Sequence, residues 1–395
     1  MSKATCPFTV AVPSIPDLES LMPSPPSFVC LSAVGLATLS SLAPAVARAD
    51  DLSLGGSART FAMGGAGLAL EHSGGPRLNP ASLAYDKRPY ALSLPSVGVR
   101  TGGLSASKVQ NDLKSGTSSS AGDLLRQFGT HDTRIGANGD LAFRVSKFEI
   151  AAFGAVRGYL QPNDALRDFA RTGGTNFGAL DPTKTYRADV IAGGYYALPS
   201  VSAGTTLPVA PGSANNYAVG VRIKNLQGIY AHYFADNGVL QNGGNATPAP
   251  EMNGKTTPLR KSGIAADVGF FMRSRTGQGL SAAILVSNII NPGLTFNGTD
   301  KNGALKSYKL IATTLSAGIG ATQGATTFAA DVADISGAAG KADIRVGAEQ
   351  RVMSSLAVRA GYSAQTGFTY GAGILGFSVA AGKNLPLEVT RNLKF

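Results

Sequence analysis

Tryptophan is missing from this 395-residue chain, and cysteine occurs only as Cys6 and Cys30. Past residue 30 there is therefore no material for a disulfide or a thiolate metal site. Histidine is nearly as scarce: His72, His131 and His232 stand far apart, with no H-x-x-x-H spacing, so the sequence offers no zinc pattern. Charged residues make up 15% of the chain against a usual ~25%. The net charge of +11 contains no run of five or six bases, which points away from a nucleic-acid footprint and toward basic loops or a basic interior. No nucleophile elbow is present, and Gly64-Gly65-Ala66-Gly67 lacks the following Lys-Ser/Thr pair of a phosphate loop, so it reads as close backbone packing. The expectation is a protein that is not an enzyme and uses no cofactor or metal.

Long apolar runs are also lacking, with one exception. Phe28 to Val46 is apolar but contains Ser40, Ser41 and Pro44, and it leads to Ala47-Arg48-Ala49, an A-x-A cleavage pattern before Asp50. Residues 1–49 read as a secretory signal, with an N-terminal anchor as the alternative and the start at Met1 or Met22 left open. Removing Lys3 and Arg48 together with Asp17 and Glu19 leaves the charge at +11.

What the chain has in plenty is glycine, 50 residues or about 13% against a usual ~7%, and alternation of apolar with polar side chains. Period two marks strands with two unlike faces. Tyr217, Val219, Val221 and Ile223 oppose Ala218, Gly220, Arg222 and Lys224, and Ile344, Val346 and Ala348 oppose Asp343, Arg345, Gly347 and Glu349. Such runs are predicted at 90–101, 140–147, 148–159, 185–196, 217–226, 263–274 and 280–288. Seven more follow at 310–320, 326–335, 342–350, 356–363, 369–375, 376–382 and 387–395. Many approach the ~9–11 residues that cross a bilayer at a tilt. Short turns such as 275–278 and 353–355 alternate with long stretches at 105–139, 161–184 and 226–262. Two of those stretches carry short helical patterns, 121–128 and 164–171. A soluble β-sandwich shares the period, but strand length, the apolar face and the export signal favour lipid. The fold class read from this pattern is all-β, a transmembrane antiparallel β-barrel of about 14 strands, over residues 86–395.

Residues 50–85 break the alternation. They are rich in Gly and Ala and hold Met63-Gly64-Gly65-Ala66-Gly67 and Asn79-Pro80-Ala81, the latter a turn or helix start with Pro at the first helical position. This is a compact plug-like segment. Charge on a lipid face would cost roughly 2–4 kcal/mol at the midplane, so Arg222, Lys224, Asp267, Arg273, Asp331, Arg345, Glu349 and Arg359 are predicted to face the lumen, with Arg100, Arg144, Arg157 and Arg187. They either brace the wall and grip the plug or favour anions along a path. Tyr85, Tyr90, Tyr195, Tyr196, Tyr362 and Tyr370 are candidates for interfacial girdles. Leu393 and Phe395 end the last strand on an aromatic residue, a barrel-assembly signal.

The segment from Ser57 to Ala84, with Met63-Gly64-Gly65-Ala66 followed by Asn79-Pro80-Ala81, resembles the N-terminal region of the FadL-like outer-membrane superfamily, including its PorV-like and conjugal-transfer TraF-like branches. The strand phrases 265–270, 329–332, 345–349 and 359–362 resemble the same group. The resemblance implies a barrel of about fourteen strands with an N-terminal hatch folded into its lumen. It also implies an outer-membrane location after signal cleavage near Ala49, contact with outer-membrane lipid and the barrel-assembly machinery, and no nucleic-acid partner. Two functions are expected from it: passage or hand-over of a hydrophobic small molecule, or a barrel scaffold that docks secretion or conjugation proteins and transports nothing.

Overall fold

The computed structural model describes residues 57–71, 79–86, 89–102, 133–174, 177–242, 246–275, 279–300, 304–382 and 385–394; the side chains of 94–102, 133–135, 177, 242 and 385–394 are not described. The export signal and the helical pattern at 121–128 lie outside these residues. Among them, no helix is long and apolar enough to cross a membrane, which says nothing of strands.

Seventeen strands follow in chain order. They are β1 (Tyr90–Gly102), β2 (Thr133–Val145), β3 (Phe148–Pro162), β4 (Ala188–Thr206), β5 (Asn215–Ala235), β6 (Thr247–Pro248), β7 (Leu259–Ser274), β8 (Leu280–Ile290) and β9 (Thr295–Thr299). The rest are β10 (Leu305–Lys309), β11 (Thr314–Gln323), β12 (Thr326–Ala333), β13 (Asp343–Met353), β14 (Leu356–Ser363), β15 (Gly367–Ile374), β16 (Phe377–Gly382) and β17 (Leu385–Lys394). The main sheet runs β4-β3-β2-β1-β17-β16-β15-β14-β13-β12-β11-β8-β7-β5-β6, and β4 also pairs with β5. That last ladder, from Ala188 opposite Ala235 to Thr206 opposite Ala218, closes the sheet on itself. Leaving aside the two-residue β6, fourteen antiparallel strands form the barrel wall. The closed ladder leaves no edge of unpaired N–H and C=O groups, which lipid would penalise heavily.

The connections divide the barrel into two ends. Ser146-Lys147, Gly324-Ala325, Ser354-Ser355 and Leu375-Gly376 are tight turns at one end, where Ala91 also lies opposite Lys394. The described residues that connect β3 to β4, β5 to β7 and β8 to β11 lie at the other, the loop end. The predicted helix at 164–171 is present as Asp164–Arg171, started by Asn163, whose side chain accepts from Leu166 N at 3.0 Å.

The two faces of the wall separate by chemistry. Phe143, Ile150, Val221, Ile223, Ile264, Ile284, Ile319, Phe328, Ile344 and Phe368 point outward and are each at least two-fifths exposed, whereas Arg222, Lys224, Asp267, Asp331 and Glu349 point inward and are buried. An apolar exterior around a charged interior is the inverse of a soluble protein and suits a barrel solvated by lipid.

Several predicted boundaries need correction. The run predicted at 140–147 belongs to a strand starting at Thr133, 185–196 to one ending at Thr206, and 310–320 to one starting only at Thr314. The stretch 226–262 is not one loop: β5 continues to Ala235 and β7 begins at Leu259. The physical reason is a swap of faces. Before Asn225 the outward Tyr217, Val219, Val221 and Ile223 are apolar and the inward residues are Ala218, Gly220, Arg222 and Lys224; from Asn225 on, Asn225 and Gln227 point outward while Leu226 and Tyr230 point inward and are buried. The strand persists where its lipid-facing pattern ends, because its outer face has met water and its inner face a covering loop.

Candidate functional site

The N-terminal segment lies inside the barrel and touches opposite walls. Its helix Ala58–Ala62 packs on β14 to β17, and its 3₁₀ turn Pro80–Tyr85 packs on β4, β5 and β7. The helix ends at Gly64 and Gly65, whose φ of 70° and 84° favour glycine. Asn79 caps the second turn by accepting from Ala81 N at 2.9 Å, and its Nδ2 donates to Phe270 O at 2.8 Å, tying the cap to the wall.

The seat is built from the wall side as well. A Cβ placed on Gly361 would lie under 3.0 Å from the backbone of Met63 and Gly64, and one on Gly220 would strike Pro80 and Ala81 equally closely. Inward-facing glycine thus lets two backbones meet. Polar bonds fix the register. Gly67 N and Leu68 N donate to Asp331 Oδ2 at 2.7 and 2.9 Å, Gly64 N donates to Thr369 Oγ1 at 2.9 Å, and Ser281 Oγ donates to Ala69 O at 2.6 Å. Arg59 grips Glu349 with two nitrogens, Nε to Oε2 at 2.8 Å and Nη2 to Oε1 at 2.9 Å.

The other predicted lumen charges fall into small groups. Arg359 Nε lies 2.6 Å from the same Glu349. Asp267 is shared by Lys224 at 2.6 Å and Arg222 at 3.3 Å, and Lys224 also donates to Asn288 Oδ1 at 2.6 Å. Arg345 pairs with Asp343 at 2.6 Å beside Gly65. Arg273 is less enclosed, 42% exposed, and meets Glu71 of the N-terminal segment at 2.9 Å. Arg144 joins Glu149 at 2.5 Å and Asp86 at 3.4 Å. Leu393 stands opposite Leu92 in the β1–β17 ladder, but its side chain, that of Arg100 and all of Phe395 lie outside the described positions. Two of the girdle tyrosines turn inward instead: Tyr85 lies 5.6 Å from the Phe271 ring, and Tyr195 packs in the interior, because both stand on segments covered from within. Tyr90, Tyr362 and Tyr370 are exposed.

A second constellation at the loop end was not legible in the sequence. The hairpin β9–β10 and its stems fold inward, so that Leu294 and Leu310 press on Gly228, and Phe296 stacks on Tyr230 at 5.3 Å between centroids. Phe153, Ile191, Leu226, Met252 and Ile311 complete this buried apolar cluster. At its edge the fully buried His232 ring is held between two carboxylates, Asp189 Oδ1 at 2.7 Å from Nε2 and Glu251 Oε1 on Nδ1. Asp189 also accepts from Arg187 at 2.7 Å, and Glu251 Oε1 accepts from Tyr230 Oη at 3.1 Å. These residues lie 19 and 43 positions from His232, and only the β4–β5 register and the turn Pro250–Met252 unite them. Among the described residues, no group of three or more His, Cys, Asp or Glu side chains is arranged to hold a metal ion.

No family model matches the chain, and no curated protein does. Solved structures do. The chain is similar to the toluene transporter TodX of Pseudomonas putida at 11% identity, over 86% of this chain and 96% of that one, with a TM-score of 0.43. It is similar to a FadL homologue of Pseudomonas aeruginosa at 12% identity, over 86% and 98%, with a TM-score of 0.36. It is also similar to outer membrane phospholipase A of Escherichia coli at 8% identity, over 78% and 93%, with a TM-score of 0.29. FadL-type barrels are thus among its structural neighbours, and likeness at this level gives no residue a role. Nothing among these neighbours bears on the PorV-like or TraF-like branches.

Proposed function

We propose that this chain is an outer-membrane channel that passes a hydrophobic small molecule, with the N-terminal segment as its hatch. One observation carries the reading: residues 57–71 and 79–86 meet opposite walls of the lumen, in part through bonds that water can replace when the segment moves. The seat combines backbone against glycine, two buried backbone amides on Asp331 and an Arg59 fork on Glu349 with small apolar clusters around Phe61, Met63, Leu68 and Leu70. Above it, Phe153, Ile191, Leu226, Phe296 and Leu310 form a buried apolar cluster beneath the loop end, and a path opened through it would favour a molecule with little polar surface. The neighbour named as a toluene transporter agrees with this reading without adding to it.

Deletion of residues 50–85 tests the hatch. In liposomes the shortened barrel should leak a small dye and equilibrate a hydrophobic probe faster than the full chain. Equal leakage from both, with the barrel intact by its heat-modifiable migration, would remove the hatch from the scheme.

A further inference from the structure

We propose that the β9–β10 hairpin is a lid on the loop end of the barrel, and that it is latched by the buried bridge Asp189, His232 and Glu251.

The covering element is separate from the wall. β9 and β10 pair only with one another, forming their own two-stranded sheet between β8 and β11. What keeps the hairpin inward is its contact with β4, β5 and the Pro250–Met252 turn. Leu294 and Leu310 fill the space over Gly228, and the rings of Phe296 and Tyr308 lie 5.3 and 5.2 Å from that of Tyr230. Glu251 is the joint. Its Oε1 accepts from Tyr230 Oη of the wall and, at 3.3 Å, from Thr299 N of the hairpin, while also bonding the His232 ring. Glu251 therefore connects the lid to the wall through a single carboxylate oxygen, and His232 connects that carboxylate to Asp189.

With both carboxyls ionised each can only accept, so each ring nitrogen of His232 that faces one carries a hydrogen and the ring is an imidazolium. The groups that face it support this. Asp189 on β4 and Glu251 on the turn are the anions; Arg187, just ahead of β4, and His232 are the cations, and the four balance. Tyr230 on β5 and Tyr308 on the hairpin add only neutral hydroxyls, and Lys261 on β7 stands over the Phe296 ring at 5.2 Å. Removing the imidazolium leaves two carboxylates buried with one Arg, and mutual repulsion drives Glu251 and the turn away from the wall. The hairpin then loses the one hydrogen bond that links it to Glu251. Mechanically this is a clamp centred on His232, between β4 and the Pro250–Met252 turn.

Hydrogen–deuterium exchange of the full chain in detergent micelles at pH 7 reads the lid directly, without any measurement of passage, so it separates failure of the latch from failure of the channel reading. In His232→Phe, which keeps a flat ring, and in Glu251→Gln, which keeps nearly the same shape, the amides of 291–313 and 246–258 should exchange about tenfold faster than in the native protein. Strands β12 to β15 should be unchanged. Glu251→Gln also decides the matter if His232→Phe does not assemble. Hairpin protection equal to that of the native protein in an assembled variant overturns the latch, as does faster exchange spread evenly over the barrel.

Discussion

At the scale of single residues, glycine does the most specific work. Gly361 and Gly220 stand on inward positions where a methyl group would collide with backbone, which cannot give way as a flexible side chain can. Gly361→Ala should therefore unseat the N-terminal segment at about 1–3 kcal/mol, read as faster amide exchange in 57–71. Gly158→Ala, where an added Cβ meets nothing within 4 Å, should leave that exchange as it was. Asn79→Ala removes a cap and a tie to Phe270 together, and should lower the protection of 79–86 by roughly 0.5–2 kcal/mol. The glycine excess was visible in the composition, and Met63 to Gly67 and Asn79 to Ala81 were legible as a compact segment. Which wall glycines receive them was not, because inward and outward glycines look alike until the register of each strand is known. His232 was illegible for a related reason: its partners come from another strand and a turn, and no local spacing announces them.

At the scale of elements, the two ends of the lumen are held by different physics. The N-terminal helix depends on a charge group in which Glu349 hydrogen-bonds Arg59 and Arg359 and lies 3.8 Å from the more exposed Arg351, so its members are not equivalent. Glu349→Ala leaves Arg59 and Arg359 facing one another without an anion and should cost about 3–5 kcal/mol. Arg59→Ala leaves Glu349 with Arg359 and should cost roughly 1–3 kcal/mol. Urea titration of folded barrels in vesicles should rank the two in that order. The turn at the loop end carries its own pH dependence. Burial works to raise the Glu251 carboxyl, but the His232 bond and backbone amides outweigh it and hold the group below the usual carboxylate range. A lowered value stabilises the folded turn above the ordinary pKa of ~4.3 and loses that contribution as the pH falls through the lowered one. Exchange in 246–258, corrected for its intrinsic rate, should be level from about pH 7 to 5 and rise only in stronger acid, with no such rise in Glu251→Gln. The existence of each wall strand was legible from its alternation, but not that of the short strands β6, β9 and β10 at the loop end. Strand ends were not, and β5 shows why: the pattern that marks lipid stops at Asn225, whereas the ladder continues on hydrogen bonds that leave no trace in side-chain polarity.

For the whole molecule, the decisive property is the inversion of inside and outside. Ile223→Arg on the outer face of β5 should reduce assembly into vesicles at a cost of about 2–4 kcal/mol, whereas Gln227→Arg, four residues on and past the change of face, should cost near 0–1 kcal/mol. Assembly is measured as the fraction migrating as a compact species before boiling. The barrel wall is also far from level. β4 and β5 run for 19 and 21 residues, and β14, β15 and β16 for 8, 8 and 6. At ~3.3 Å per residue and a tilt near 45°, eight residues rise only about 19 Å, less than the ~25 Å apolar band that such barrels usually present. Acyl chains bordering β14 to β16 must shorten, or the whole cylinder must lean, to keep Phe368, Tyr370 and Ile374 out of water. Thinning along that flank would show as partition toward short-chain lipid in mixed vesicles, whereas a leaning cylinder would show no such preference.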